Sequence, residues 1–570
     1  MKGHTPSSSS HHTTIIGSSS YEETMALFHE KAPSSDLGSD AGSSSRDESE
    51  TFSSSSTLTT RNSSPARSEI LGGISSQPFS SQLPISMPSL PSIPWPSSSH
   101  CRRRLFPLLT KIGIFLLPSF LQPKGHHHTT LRLSPTAYLD GIRGLAALFV
   151  FFCHYFYTCY VIATGYGLDE GNYHLLKLPF IRLLYSGPPM VCVFFVVSGY
   201  ALSLKPLKQI RARQFAELSN TMSSFIFRRG LRLFLPAAIS TFFICLLVRS
   251  GWYAANADFA TSDLYLRNVQ ETHYEGHPED WGLQIQEWAC DLFQFVHVWD
   301  WTAFGGSTSM DVHLWTIPVE FRASMALFLS LMGMARLKTA RKRFAVLGFL
   351  VLFCYYSARW EMVLFYAGMG LAEMDLIRGA HTPSQRTEKE EVLPLKSARP
   401  KRWNGKVKKW WWLGMSVLGL YLMSQPDQGS DMTPGWFFLT DLIPLWWNYD
   451  DLYRYWQSVG AVIFVMAVGR SKGWQRFFES PVVQYFGKIS YALYLMHGPV
   501  LHTAGYSIER FVWQRVTGVE SDMAYHVGFG LAAVFVVPIT IWVADVFWRG
   551  VDAPVVRFAK WFEGVWTIEE

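Results

Sequence analysis

From residue 138 onward the chain alternates apolar stretches with short polar loops, and the loops keep a strict order of charge. The apolar stretches lie near 139–163, 188–204, 231–249, 313–335, 344–357, 360–377, 410–424, 453–469, 487–505 and 525–548. Several fall short of the ~20 residues a helix needs to cross a bilayer, but the loops supply an independent count. Those after the second, fourth, sixth and eighth stretches carry KPLKQIRAR, RLKTARKR, RPKRWNGKVKK and GRSKGWQR. The intervening loops are acidic or neutral, as in DFATSDLYLRNVQETHYEGHPEDWG. Basic loops stay on the cytoplasmic side of a membrane. The alternation therefore predicts an all-α polytopic membrane protein of about ten transmembrane helices, with both termini cytoplasmic. A miscounted span would break the alternation.

Composition agrees with a chain whose partner is the lipid bilayer. Hydrophobic residues make up 48% and charged residues 16%, with 22 Trp and 41 Phe, as lipid-facing surfaces and aromatic belts require. The net charge of +6 is spread over short runs between apolar segments, which argues against a nucleic-acid footprint. The seven cysteines form no C-x-x-C pair, and Cys153, Cys192, Cys245 and Cys354 sit inside apolar segments. Neither a disulfide framework nor a zinc site is expected.

The chain divides by composition into four parts. Residues 1–100, rich in Ser, Thr and Pro, bury too little apolar surface to offset their ordering entropy, so a disordered cytoplasmic tail is expected there. Residues 101–137 form a basic interfacial segment and linker: the apolar part of CRRRLFPLLTKIGIFLLPSFLQPK is short, is broken by Lys111 and two prolines, and suits a leaflet surface better than a span. The triple His at 126–128 has no carboxylate or Cys beside it and reads as linker, not metal site. Residues 138–560 are the transmembrane domain, and 561–570 a short C-terminal tail.

Ionisable residues inside a membrane are costly and mark function by default. Arg143 and His154 are eleven residues apart in YLDGIRGLAALFVFFCHYF, which on a helix is about 20° past three full turns, so they share a face about 16 Å apart along the axis. Snorkelling accounts for an Arg near the surface, but not for a mid-span His on the same face. In FIFRRGLRLFLP, Arg229 and Arg232 are one turn apart and Arg228 adds charge. Orientation alone explains Arg at a cytoplasmic helix end, yet two guanidiniums on one face also suit phosphate, and Arg143 belongs to the same leaflet. In MDVHLWTIPVEFRASM, His313 and Glu320 share a face, and so deep a Glu needs a cation or a proton; Arg322 is nearby in sequence but points away. In GKISYALYLMHGPVL, Ser490, Tyr494 and His497 share a face, although Tyr and His near an interface are often belt residues. His502, Trp299 and Asp300 read as background.

Together these segments resemble the acyltransferase-3 family of integral membrane acyltransferases, in order along about 138–560. YLDGIRGLAALFVFFCHY resembles the family's opening LDGLRGxAAxxVxxxH, VFFVVSGYALS its FFxxSGF second span, and FRRGLRLFLP its RRxxRxxP element. HLWTIPVEF resembles HxWxLxxE, ISYALYLMHGPV resembles ISYxxYLxHxP, and DVFWRGVDAPVVRFAK the closing span. The chain departs from the pattern at Ile317–Pro318 and at Gly498, where bacterial members often have Trp.

The resemblance implies transfer of an acyl group, usually acetyl, from acyl-CoA to a hydroxyl of a carbohydrate, lipid or small metabolite. It places the family's activity-linked residues on Arg143, His154, Arg229 and Arg232. On this reading Arg143, Arg229 and Arg232, with Arg228 beside them, bind the CoA phosphates, and the pantetheine arm spans the ~16 Å to His154. His154 then acts as base or transient acyl carrier. Glu320 orients His154 or relays its proton, and His313 admits the acceptor. Acyl-CoA is a co-substrate, with no tightly bound cofactor and no metal, because a thioester is already activated. A transporter or flippase would also carry intramembrane Arg, Glu and His, but would tend to show internal repeats, and none is visible. A tail-mediated scaffold is the other rival, suggested by the Ser-rich segment. The lack of an apolar leader at residue 1 leans towards an endomembrane or plasma membrane protein.

Overall fold

The computed structural model describes residues 110–122, 133–271, 273–299, 307–380, 405–447 and 451–568. The tail expected to be disordered, the triple Arg, the triple His, Asp300 and the last two residues lie outside these. The chain divides into two units, one containing Ile114–Glu570 and the other Pro33–Gly113. The membrane helices and the site between them belong entirely to the first.

Among the described residues the fold is all helical, without a β-sheet. The main helices are α1 (Ala137–Tyr157), α2 (Gly187–Ala212), α3 (Phe215–Arg249), α4 (Trp281–Val296), α5 (Thr316–Met334) and α6 (Ala340–Tyr356). They are followed by α7 (Trp360–Ile377), α8 (Gly405–Met423), α9 (Leu452–Val468), α10 (Pro481–Val500), α11 (Asp522–Phe547) and α12 (Ala553–Trp566). A helix stands at each of the ten apolar stretches. Five stretches are long and apolar enough to cross a membrane by themselves: Ala137–Tyr157, Gly187–Ala212, Phe215–Arg249, Val312–Met334 and Asp522–Trp566. The others are shorter; α6, for example, has 17 residues, about 26 Å of helix.

Boundaries follow local chemistry. Asp280 caps α4 by accepting from the amides of Gly282 and Leu283, Thr339 caps α6 through the amide of Lys342, and Ser521 caps α11 through that of Ala524. Each oxygen satisfies an amide that the helix leaves orphaned. The first helix ends at Tyr157, six residues before the apolar run does. The third begins at Phe215, well ahead of its apolar run. α4 was not expected; it lies in the long loop between the third and fourth stretches.

Two glycines of the opening motif set the central crossing. A Cβ on Gly144 would lie 2.3 Å from the amide nitrogen of Gly487, and one on Gly141 would lie 2.1 Å from the carbonyl oxygen of Phe478. Only hydrogen fits at either position: Gly144 brings α1 backbone to backbone with α10, and Gly141 does the same with Phe478, three residues before α10. α1 and α10 run parallel, since Gln484 meets the carbonyl of Ala137, Ser490 meets Arg143, and His497 meets His154. α3 and α5 are antiparallel, with Phe225 on Phe328, Arg229 on Glu320 and Phe234 on Phe321. α2 and α7 are parallel, with Phe195 on Trp360 and Gly199 against Phe365. α8 and α9 are antiparallel, with Gly419 against Phe464 and Gly460 against Met423.

Residues 114–122 pack on α11. Ser119 donates from both its amide and its hydroxyl to Asp545, at 2.9 and 2.7 Å, and Arg549 donates to the carbonyls of Phe115 and Leu117.

Candidate active site

The α1–α10 crossing and the start of α5 bring three imidazoles together. The ring centroids of His154 and His313 are 4.1 Å apart, those of His313 and His497 4.8 Å, and those of His154 and His497 5.1 Å. His313 and His497 are 2% and 0% exposed. The nitrogens closest to one another lie within 4.8 Å, a spacing that raises the question of a metal. His313 answers it: its Nδ1 meets Asp311 Oδ1 and its Nε2 meets Glu271 Oε1, each at 2.7 Å. With both nitrogens engaged it has no lone pair to give an ion, so only His154 and His497 have a nitrogen free for ligation.

Those free nitrogens suit proton or acyl transfer. Nδ1 of His497 faces the carbonyl of Leu493 at 3.1 Å; a carbonyl only accepts, so this nitrogen carries the hydrogen and Nε2 keeps its lone pair. Nε2 of His497 and Nδ1 of His154 are buried without a hydrogen-bond partner among the described residues. Orphaned buried polar atoms are uncommon and want an explanation.

Asp311, His313 and α10 fit together because residue 498 is glycine. A Cβ there would lie 2.8 Å from Nδ1 of His313 and 2.9 Å from both carboxylate oxygens of Asp311. Asp311 Oδ1 also accepts from the amide of His313 at 3.0 Å, opening the helical turn that leads into α5. Tyr494 accepts from Thr316 at 2.7 Å and donates to the carbonyl of His313, pinning the same turn. After Pro499, which has no N–H for the helical ladder, α10 continues through a π-wound turn, Leu501–Gly505. His502 stands on that turn with its Nε2 2.9 Å from Glu271 Oε2. Burial alone would raise the Glu271 carboxyl, but the imidazoles of His313 and His502 hold it well below the usual carboxylate range. A small cavity lined by Tyr253, Tyr274, Asp311, His313 and His502 lies beside it.

The expected cations separate into two kinds. Arg143 donates to Ser490 Oγ at 3.1 Å and to the carbonyl of Gly487 at 3.3 Å, and pairs with Asp140 at 3.4 Å while its side chain stays 38% exposed. Arg232 is exposed, and it and Arg143 both act electrostatically on Asp552. Arg229 is buried and committed: its Nη2 meets Glu320 Oε1 at 2.7 Å and its Nε donates to Ser324 Oγ at 3.1 Å. Arg228 pairs with Glu563 at 2.9 Å. Glu320 thus has its cation, from α3 and not from Arg322, and it also accepts from Ser198 at 3.0 Å. The carboxylates that meet the imidazoles are Asp311 and Glu271.

Sequence reasoning placed His154, His313 and His497 each on a face, and the fold joins them. It passed over Asp311, Glu271 and His502. The Asp-x-His of MDVHLW carried a helix-start signal; Glu271, in a long loop, carried none.

These helices and this cluster describe a buried imidazole site within a bundle that includes five helices long and apolar enough to cross a membrane. The family profile described as an acyltransferase domain matches residues 136–549, and the chain belongs to that family. It is 32% identical to the O-acetyltransferase PaAT-1 of Phomopsis amygdali over 79% of this chain and 88% of that protein. It is 29% identical to acyltransferase R4 of Phoma sp. over 70% of this chain and 89% of that one. It is 28% identical to acyltransferase clz18 of Cochliobolus lunatus over 74% and 94%. No solved structure matches the chain. The protein is an acyltransferase of the membrane.

Proposed function

We propose that the protein moves an acetyl group from acetyl-CoA to a hydroxyl of a small molecule, lipid or carbohydrate. The observation that carries this is two unpartnered imidazole nitrogens, on His154 and His497, together with an accessible cation, Arg143, about 16 Å from His154 along the same face of α1. The name of the O-acetyltransferase relative supports both the acetyl group and the hydroxyl acceptor.

The donor's phosphates bind Arg143 and Arg232 at the cytoplasmic end by charge-assisted hydrogen bonds. Arg228 and Arg229, paired with Glu563 and Glu320, shape that end of α3. The thioester reaches the imidazole cluster. There His154 takes the proton as the acceptor O–H bond breaks and the new C–O bond forms. As the tetrahedral intermediate collapses, the C–S bond breaks, and His154 returns the proton to the departing thiolate. His497 shares the reaction space through its free Nε2, Ser490 holds Arg143, and Tyr494 fixes the turn that carries His313.

Ten spans with both termini in the cytoplasm fit this scheme. The directions of the four helix pairs α1–α10, α3–α5, α2–α7 and α8–α9 are those a ten-span count requires: parallel between spans of like parity, antiparallel between unlike. An endomembrane or the plasma membrane is the setting this reading favours.

The test is free CoA release from acetyl-CoA by purified full-length protein in proteoliposomes, with octyl glucoside, farnesol and cyclohexanol as trial acceptors and His154→Ala in parallel. Acceptor-dependent release that vanishes in the variant supports the reading. Acetyl-CoA binding without His154-dependent release would refute the role of His154, and neither binding nor release by folded protein would refute the donor.

A further inference from the structure

Glu271 belongs to no motif and stands in the long loop between α3 and α5, yet it is only 7% exposed. Each of its carboxylate oxygens meets an imidazole, His313 at 2.7 Å and His502 at 2.9 Å. The line continues from His502 Nδ1 to His273 Nδ1 at 3.1 Å, and from His273 Nε2 to the carbonyl of Tyr253 at 2.7 Å. At its other end His313 Nδ1 meets Asp311 at 2.7 Å.

The protons on this line can be counted. Five hydrogen bonds need five hydrogens, one in each link. Tyr253 offers a carbonyl, which only accepts, so His273 carries its hydrogen on Nε2 and receives one from His502 on Nδ1. Three neutral imidazoles hold three hydrogens, so the line needs two more. The two carboxylates, Asp311 and Glu271, balance their charge. The fully bonded line is electrically neutral: one extra proton falls on His313, whose nitrogens both face carboxylate oxygens, and the other lies in the bond between His502 and Glu271. A buried charge is tolerated when paired and hydrogen-bonded in this way. The resulting imidazolium lies with its ring 4.1 Å from that of His154.

We propose that Glu271 is a positioning residue for acyl transfer: with Asp311 it holds His313 as an imidazolium against His154, and through His502 and His273 it ties the α3–α5 loop to the site. This rests on the acyl-transfer reading of the site. The fixed cation stands where an acyl carbonyl attacked beside His154 develops negative charge, and a preorganised charge there favours the tetrahedral intermediate over the ground state. His313 does this without donating a hydrogen, since both of its N–H groups are engaged.

Glu271→Gln separates electrostatics from architecture. The amide oxygen still accepts from His313 and the amide nitrogen still donates to His502, so the contacts survive while the charge goes. The assay is acetyl-CoA turnover by the full-length protein in proteoliposomes, using whichever trial acceptor is fastest with wild type. The kcat is expected to fall at least tenfold, with KM for acetyl-CoA within twofold. The alkaline limb of the kcat profile is expected to move at least one pH unit lower, because one carboxylate now holds the proton that two held before. The titratable groups around this imidazole are Asp311 on its own turn, Glu271 on the loop, His154 on α1, Tyr494 and His497 on α10, His502 on the π-wound turn, and Tyr253 and Tyr274 across the small cavity. A folded Glu271→Gln with unchanged kcat and profile overturns the proposal. If that variant fails to fold, Asp311→Asn removes the other counter-charge and carries the same expectation, and an unchanged profile there overturns it equally. Inactive wild type would bring down the acyl-transfer reading and this proposal with it, whereas active wild type with an equally active Glu271→Gln removes the proposal alone.

Discussion

Glu320→Ala strands a guanidinium inside the bundle. Arg229 is 9% exposed at its side chain and its partner 23%, and they meet at 2.7 Å. The second bond of Arg229, to Ser324, is to a neutral hydroxyl that cannot balance the charge. Breaking a buried pair from one side costs roughly 3–5 kcal/mol, because the remaining charge is left uncompensated. Glu320→Gln keeps a hydrogen bond to the guanidinium and is expected to cost less, about 1.5–3 kcal/mol, in the range of a hydrogen bond to a charged group. Replacing both partners, as Arg229→Met with Glu320→Leu, removes the charge and the need for its partner together, and is expected to lie near wild type. Equilibrium unfolding in mixed detergent–SDS micelles measures the three variants on one scale. The reasoning is refuted if Glu320→Ala unfolds within about 1 kcal/mol of wild type, or if the double variant is as unstable as the single one. Acetyl-CoA affinity adds a second reading. Were Arg229 a phosphate ligand merely parked on Glu320, the alanine variant would bind acetyl-CoA more tightly; if Arg229 is a structural cation, the affinity is expected not to rise.

His154→Ala is expected to lower transfer by ~10²–10⁴-fold, the usual contribution of a positioned acid–base group, with acetyl-CoA affinity within twofold by thermal shift. Gly144→Val places a branched side chain where a Cβ already lies 2.3 Å from the Gly487 backbone, and is expected to cost more than the ~1–3 kcal/mol typical of overpacking and to abolish transfer, read by SDS unfolding and CoA release. Gly498→Trp would drive Asp311 and His313 off α10; insertion is expected to persist and turnover to fall at least tenfold by CoA release. For pH, the Glu271 carboxyl is held below its usual range in the folded protein, so its contribution is complete above the unfolded value of about 4.3 and is lost as pH falls through the lower folded value. Thermal stability should therefore drop below about pH 4, and Glu271→Gln should be less stable at pH 7 yet lose less on acidification.

The all-helical fold and its membrane-length helices were legible because lipid imposes a one-dimensional rule. Each span needs an apolar run, and each loop carries a charge sign that depends only on its place in the count. The Arg143–His154 relation was legible for a similar reason, since both lie on one helix and its pitch fixes their faces. What could not be read was any partner brought from another element. Glu320 called for a cation, and the sequence offered Arg322 nearby; the structure uses Arg229, ninety-one residues away, because α3 and α5 run antiparallel at that level.

The imidazole cluster shows the same limit from the other side. His154, His313 and His497 were each placed on a helix face, but nothing in a face assignment says that three faces converge. Convergence depends on the glycine contacts between α1 and α10 and on Gly498, which admits Asp311 and His313 against α10. Once those backbones touch, a second set of residues is drawn in by electrostatics, not by pattern: a buried imidazole needs acceptors or donors on both nitrogens, and Asp311 and Glu271 supply them to His313. Asp311 is two residues from the motif and could be found from the capping chemistry of its turn. Glu271 comes from a long loop, and only the hydrogen-bonding demand of the assembled site identifies it. The residues least visible in the sequence are thus those that set the charge of the site, and their removal should change how the reaction depends on pH before it changes whether the protein folds.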